Sequence, residues 1–425
     1  MRRHFQQYSE EITSVTKAPL FSIATGRDTS MFVDDLAGRS ADLREQVAGS
    51  RILAVGAAGS IGSNTIRTLL RFKPKALHII DQNENALAEL VRELRSSPEP
   101  LDIEEFRTLP LDYGSAAMRS LLEGEGPYDR VLNFAAIKHV RSEKDAYSIL
   151  QMFDTNIVKQ ARFLDWLSKY SPSADYFSVS TDKAANPVSF MGATKRIMEH
   201  VLFDPELSGA MNGAINSARF ANVAFSNGSL LQGWERRMAR REPMACPKGI
   251  RRYFVSLEES GHICALASVL APNRTIAIPR LDPVQHLRPL QEIADAFARW
   301  HGFEPVHYDS EDEAKSALDT DAAQGRWPII ITPADTGGEK PYEEFVGAGE
   351  VSVEFDLEGL LGVKWAGLQH GGSMGELLAH VTPAVMGTAA AEACTKEALK
   401  TMIGSIEPAF LSAHIDSNRN LDQRA

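Results

Sequence analysis

Cysteine is scarce: Cys246, Cys264 and Cys394 are the only three in 425 residues, and they lie far apart. An odd, scattered set makes neither a disulfide framework nor a metal-ligand spacing, so a reducing compartment and no bound metal are expected. Long apolar runs are missing. None approaches the roughly 20 residues needed to cross a bilayer, so no membrane span is expected. The start, Met1-Arg-Arg-His-Phe-Gln-Gln, lacks the apolar core of a secretory signal. Surplus positive charge is absent too: 45 Lys and Arg against 56 Asp and Glu leave −11. That balance excludes the broad cationic footprint of a nucleic-acid binder, so no nucleic-acid partner is expected. A local pocket on an acidic protein can still be positive and hold an anion. With 44% hydrophobic and 24% charged residues the chain reads as an ordinary folded protein, and a soluble, cytoplasmic one is expected.

What is present is a regular alternation. Ile52–Val55, Ala76–Ile80, Ile103–Leu109, Arg130–Phe134, Tyr176–Ser180 and Ala214–Phe220 read as short apolar strands. Between them Ile61–Phe72, Glu84–Leu94, Ser115–Leu122, Asn156–Tyr170 and the stretch after Met191 read as helices. Strands alternating with helices of this length predict an α/β fold with a doubly wound parallel sheet. The rhythm breaks after about Gly228, where a basic helix over Leu230–Arg241 precedes short strands at Arg252–Ser256 and Thr275–Pro279.

Gly56-Ala-Ala-Gly59-Ser60-Ile61-Gly62 falls between the first strand and its helix. Glycine is needed where backbone turns tightly or approaches a pyrophosphate, and the following helix N-terminus then aims free N–H groups at that charge. Asp81 closes the second strand, 19 residues after Gly62. A carboxylate there accepts hydrogen bonds from an adenosine ribose and repels a ribose phosphate, favouring NAD over NADP; a turn or cap role is the alternative. Related enzymes sometimes take NADP despite such an acid. Asp112 either reaches the adenine or serves a turn. Ala135 and Ala136 are small enough to lie against a cofactor, and Asn133 either pins that backbone or simply packs. Lys138-His139 follows at the carboxyl end of the sheet, where ligands gather, or is solvated loop charge. The expected organisation is a helical arm over 1–48, a dinucleotide-binding unit over 49–228, a substrate lobe over 229–355 and a helical extension over 356–425. The extension includes an Ala-rich helix over Thr388–Met402. The arm, with its amphipathic Met31–Arg39 segment, packs either on the main body or on another subunit.

Thr181-Asp182-Lys183 sets an acid beside a base at the end of the fifth strand, and Met191-Gly-Ala-Thr-Lys195 follows eight residues later. Lys195 lies four residues after Met191, on the same helix face.

These motifs together resemble the UDP-N-acetylglucosamine 4,6-dehydratase family, an extended short-chain dehydrogenase/reductase branch with a Rossmann sheet. The match runs through the glycine turn, Ala135-Ala136-Ile-Lys138-His139-Val140, Ser180-Thr-Asp-Lys183-Ala and Met191-Gly-Ala-Thr-Lys195. Arg219-Phe-Ala-Asn222-Val, Ser226-Asn-Gly-Ser229, and Gly338-Glu-Lys340 with Glu343-Glu344 extend it over roughly 48–350. The resemblance implies bacterial polysaccharide biosynthesis, a UDP-sugar substrate and a homo-oligomer. The implied reaction is dehydration of a UDP-N-acetylhexosamine, UDP-N-acetylglucosamine first, to a 4-keto-6-deoxy sugar, with or without inversion of carbon 5 through Lys183.

In that reading Asp182 is the general acid and Lys183 the carbon-5 base. A free lysine, near pKa 10.4, must then be lowered to roughly 7–8 by burial or a neighbouring cation such as Lys195. Asp182 faces the opposite demand, so the two side chains are expected to diverge rather than bond. Methionine stands where the wider fold carries a tyrosine phenol, leaving Thr181 as a relay for the 4-hydroxyl proton and Lys195 or water as its acceptor. Asn222, Lys138 and Arg252 are expected on the substrate side, Arg252 as a diphosphate ligand or as a structural arginine. Ala221, Asn227 and Thr336-Gly337 depart from the family pattern. A nucleotide-sugar epimerase or reductase, and a non-catalytic dinucleotide-binding scaffold, are the competing readings.

Overall fold

The computed structural model describes residues 18–98, 101–138, 143, 145–333, 340, 342–368 and 372–414. Among these, the main sheet contains β1 (Arg51–Val55), β2 (Ala76–Ile80), β3 (Glu105–Leu109), β4 (Arg130–Asn133) and β5 (Asp175–Val179). It continues with β6 (Ile215–Ala218), β7 (Thr275–Pro279), β8 (Val351–Val353) and β9 (Leu360–Lys364). Their order is β8-β9-β7-β6-β5-β4-β1-β2-β3. Every pair from β3 to β7 is parallel, and β9 and β8 add antiparallel to that edge. The 3-2-1-4-5-6 run is the doubly wound dinucleotide-fold order, with its reversal between β1 and β4. Val55 pairs with both Ile80 and Asn133, and Asn133 with Ser178, so these strands end on one rim.

Helices α1 (Ser60–Leu70), α2 (Glu84–Ser96), α3 (Ala116–Glu125), α4 (Ala146–Phe153), α5 (Lys159–Tyr170), α6 (Phe190–Phe203) and α7 (Leu257–Leu270) cover both faces. Side chains alternate across a strand, and the two faces feed separate cores. Ile52, Ala54 and Phe177 join Ile66, Leu69, Ile263 and Leu266 in one buried cluster. Leu53, Val55 and Tyr176 join Phe163, Leu167, Ile197 and Val201 in the other. Burial on both sides explains why these strands read as continuous apolar runs rather than alternating ones.

A third core of Trp234, Phe254, Phe297, Trp327 and Ile329 lies around a small parallel sheet, Met244–Pro247, Glu304–Tyr308 and Arg326–Thr332. The boundaries drawn from sequence do not coincide with the sheets. β7 and β8 come from the segment expected as a lobe, and β9 from the segment expected as a helical extension. Residues 18–47 pack on the chain's own body. Arg27 forms a two-pronged pair with Glu259, both bonds at 2.8 Å, and Asp35 accepts from the Glu358 and Gly359 amides.

Two helix expectations need correction. The region read as helical from Asn156 starts earlier, at Ala146 with Asp145 as cap, and passes through a π-turn at Asp154–Val158 before α5. The expected Thr388–Met402 helix does not form as one piece. Gly387 takes a left-handed φ of 69°, Ala391–Cys394 makes a 3-10 turn, and Thr395 caps a fresh helix over Lys396–Gly404. A side chain that satisfies the first amides begins a helix at that point, so Ala content there does not decide its extent.

Behind the ends of β5 and β6 lies a buried ionic cluster. Arg219 is fully enclosed and bonds Glu199 with both prongs, at 2.8 and 2.6 Å, and Glu350 at 2.5 and 2.8 Å. Arg196 pairs with Glu350 and with Glu407 of the C-terminal segment. Burial alone would raise the Glu350 carboxyl, but the two guanidinium groups outweigh it and lower it to about 2. Its contribution to stability is therefore complete above its unfolded value and is lost as pH falls toward 2. Arg219→Met should destabilise the fold by about 3–5 kcal/mol at neutral pH, because it strands buried carboxylates, and should flatten or reverse the loss on acidification, because Glu350 is no longer held as far below its unfolded value. Denaturant unfolding at several pH values measures both.

Candidate active site

One cleft of about 880 Å³ opens at the carboxyl rim of the sheet. It collects residues from the glycine turn, the ends of β2, β4 and β5, helix α6 and the Phe220–Val223 segment. At the glycine turn Gly56 has a φ of 66°, and a Cβ there would meet the Ala135 backbone nitrogen at 2.5 Å. Only glycine combines that torsion with that approach. A Cβ on Gly62 would strike Ala57 Cα at 2.5 Å, so α1 can begin close to β1. Gly59 caps α1 and no side chain bonds its first amides. Gly59, Ser60 and Ile61 all line the cleft. An uncapped helix start facing a cleft suits a phosphate, so these residues fit a dinucleotide.

Asp81 accepts from the Ala58 amide at 3.2 Å and the Asn83 amide at 3.0 Å. It therefore steadies the glycine turn while lining the cleft; the cap of α2 is Asn83, not Asp81. Asp112 accepts from the Gly114 amide at 2.8 Å and from Lys159 Nζ at 2.6 Å, combining the turn role with a cleft position. Asn133 pins the following backbone: its Oδ1 accepts from the Ala135 amide at 2.9 Å, and its amide donates to Gln160 and Tyr176. Ala135, Ala136 and Lys138 line the wall, while His139 and Val140 lie outside the described residues. Asn156, from the π-turn, holds the Ile137 amide and carbonyl at 3.0 and 3.1 Å. Sequence reading did not single it out, since a π-turn leaves no compositional mark.

Thr181, Asp182, Lys183, Met191 and Lys195 come together along the same wall. Thr181 Oγ1 donates to Asp182 Oδ1 at 2.8 Å. Lys183 does not diverge from its neighbour, as expected from sequence, but donates to Asp182 Oδ1 at 3.1 Å. Its Nζ also lies 3.8 Å from Glu343 Oε1. Burial disfavours the Lys183 ammonium, but Asp182 and Glu343 outweigh that and raise its pKa, against the expected lowering. The cation working the other way is Arg252. Asp182 is 2% exposed, and its Oδ2 has no hydrogen-bond partner among the described residues. Such an oxygen is costly to leave unmet and is poised for a ligand.

Lys195 is the amine that burial does lower, to about 7, with Glu199 opposing the shift. It donates to the Val179 carbonyl at 2.6 Å and lies 3.0 Å from Met198 Sδ. Met191 is 2% exposed on the same helix. Asn222 lines the cleft and reaches the Tyr253 carbonyl at 3.4 Å. Arg252 is buried, lines the cleft and donates to the Lys340 carbonyl at 3.0 Å. Glu343 was visible only as part of a motif; nothing in its spacing announced that it would face Lys183. Thr336, Gly337 and Gly338 lie outside the described residues. Among the described residues no helix is long and apolar enough to cross a membrane, and no group of side chains could hold a metal ion.

A family model described as polysaccharide biosynthesis protein matches residues 52–364. The chain belongs to that family. The matched span of the polysaccharide biosynthesis family takes in the glycine turn, Asp182-Lys183 and Glu343, and leaves the N-terminal arm and the last helices outside. An uncharacterized membrane protein of Methanocaldococcus jannaschii is 29% identical over 256 residues, 60% of this chain and 73% of that protein. A UDP-N-acetylglucosamine 4,6-dehydratase (inverting) of Campylobacter jejuni is 27% identical over 215 residues, 50% of this chain and 61% of that protein. The chain spans about half the length of other curated relatives it matches. Among solved structures, Pen from Bacillus thuringiensis superposes with a TM-score of 0.60 at 20% identity, covering 75% of this chain and 88% of that one. This last likeness is one of fold alone, and it agrees with the doubly wound parallel sheet.

Gly56→Ala tests the cradle. It should abolish dinucleotide binding by calorimetry, because the new Cβ displaces the β4 end from the glycine turn. Unchanged affinity would contradict that account.

Proposed function

We propose that the chain is an NAD-dependent 4,6-dehydratase of a UDP-N-acetylhexosamine, with UDP-N-acetylglucosamine the first substrate to test. The observation that carries this reading is the bonded Thr181-Asp182-Lys183 array, with an unmet Asp182 oxygen, in the same cleft as the glycine turn. The name of the Campylobacter jejuni relative supports the same reaction. Gly56, Gly59, Ser60, Ile61 and Gly62 would hold the pyrophosphate of the dinucleotide, Asp81 its adenosine ribose, and Lys195 its nicotinamide end. Asp81 favours NAD over NADP.

A bound nicotinamide would supply a reversible hydride acceptor, so that sugar carbon 4 can be oxidised and carbon 6 reduced. The protons belong to this chain. In the ion pair the proton rests on Lys183; passing it along the 3.1 Å bond to Asp182 leaves a neutral amine beside a carboxylic acid. That is the reactive pairing. Lys183 then takes the carbon-5 proton, and Asp182 protonates oxygen 6 as it leaves as water. Lys183 returns a proton to carbon 5, on the same or the opposite face. Thr181 bonds Asp182 directly and hands on the proton from oxygen 4, replacing the one Asp182 lost, so one water leaves per turnover. Lys195, held on the Val179 carbonyl and lowered to about 7, supplies a second amine able to carry that proton without a phenol. The bonded acid and base thus serve the chemistry better than the separation expected from sequence.

Purified protein incubated with UDP-N-acetylglucosamine should give a product lighter by one water, read by mass spectrometry. Lys183→Ala should slow it by about 10²-fold or more, the usual scale of a proton-transfer group, and Thr181→Val should slow it as well. An isomer of unchanged mass would instead assign an epimerase. Bound dinucleotide with no turnover of this or related sugars would assign a scaffold.

A further inference from the structure

The 340–350 segment is strapped across the turn that carries Lys183. Lys340 Nζ donates to the Asn186 carbonyl at 2.7 Å, Asn186 donates to Glu344 at 2.8 Å, and the Ala348 amide donates back to Asn186 at 2.9 Å. Gly347 and Glu350 tie the strap to the Arg219 cluster, with the Gly347 amide on Glu350 at 2.7 Å. These neighbours bring Glu343, 5% exposed, to 3.8 Å from Lys183 Nζ, opposite Asp182. The gap exceeds hydrogen-bond length, so Glu343 acts on Lys183 through charge. One half-buried ammonium therefore has two carboxylates, Asp182 and Glu343, at 3.1 and 3.8 Å, while Arg252 brings positive charge to Lys183 and Glu343 alike and Lys340 brings it to Glu343.

We propose that Glu343 sets the proton occupancy of Lys183: ionised, it locks Lys183 as an ammonium, and neutral, it lets that proton pass to Asp182. Glu343 is thus a positioning residue for the base and need not touch the sugar. Its own proton comes from solvent and returns there; within the pair one N–H bond breaks and one O–H bond forms on Asp182. Burial raises the Glu343 pKa, and Lys183 opposes the shift. A raised carboxyl stays neutral to higher pH, so the lock engages as pH rises through its titration and the base is lost on that limb. The two groups titrate as a coupled set. The catalytic consequence rests on the dehydratase reading, whereas the control of Lys183 does not.

The test separates the two. The full-length protein is labelled with trace acetic anhydride across pH, and mass spectrometry reads the rates at Lys183 and Lys195. Glu343→Gln should speed labelling of Lys183 at least about threefold at fixed neutral pH, since removing a nearby opposite charge favours the neutral amine. Lys195, with Glu199 as its carboxylate neighbour, should label at its original rate. Glu343→Asp, which draws the charge back, should fall between, and decides the matter alone if Glu343→Gln does not fold. Lys183 rates unmoved relative to Lys195 in both variants would overturn the proposal. In an active dehydratase the alkaline limb of kcat/KM should move to higher pH in Glu343→Gln, and an unmoved limb would equally overturn it. Unaltered protein that dehydrates no sugar, yet shows the labelling shift, would sink the function and leave the Glu343–Lys183 linkage standing.

Discussion

A charge taken out of water must be matched where it lies, and the carboxyl ends of β5 and β6 are organised by that requirement. Lys183 is matched by Asp182 and Glu343. Directly behind them, Arg219 and Arg196 are matched by Glu199, Glu350 and Glu407. The two sets are linked through Ser180, whose hydroxyl donates to Glu199 at 2.6 Å one residue before Thr181. Residues distant in sequence thereby fix the strand end that leads into Thr181 and Asp182. The 340–350 strap and Glu407 belong to the same arrangement, so the segments after the parallel sheet are part of what holds the site.

Against that background the missing phenol is less of a loss than it seems from the sequence. Tyrosine in the wider fold supplies a group that gives up a proton near neutral pH. Here helix α6 carries methionine at that place and a lysine, one turn on, whose burial brings it to about 7. Burial disfavours the charge on both Lys195 and Lys183, yet they shift in opposite senses: Glu199 does not offset it at Lys195, whereas Asp182 and Glu343 together outweigh it at Lys183. Burial and charge thus set two similar side chains to different tasks.

Much of this was legible beforehand. The strand–helix rhythm gives the doubly wound parallel sheet, because parallel strands require crossovers of helical length. The glycine turn, Asp81, Thr181-Asp182-Lys183 and Lys195 could be placed on one rim because strand ends and helix starts are local features. Other features depended on distance in three dimensions. Glu343 meets Lys183 from 160 positions further along the chain, so no local spacing reveals the contact. Together with the nearer Asp182, that contact reverses the expected direction of the lysine's titration. The π-turn that presents Asn156 and the Thr395 cap that interrupts the Ala-rich stretch are choices between near-equal backbone paths, which composition does not decide. β7, β8 and β9 join the main sheet by pairing at its edge, a tertiary event with no signature in the strands themselves.

Lys195 and Lys183 share one cleft wall, yet burial lowers the first to about 7 while neighbouring carboxylates raise the second. Selective 15N labelling of lysine, with NMR titration of the side-chain nitrogens assigned through Lys183→Arg and Lys195→Arg, measures this directly. The account predicts that the Lys195 nitrogen titrates near pH 7 while the Lys183 nitrogen is still an ammonium there. A Lys195 nitrogen charged well into the alkaline range, or a Lys183 nitrogen already neutral at pH 7, would contradict it.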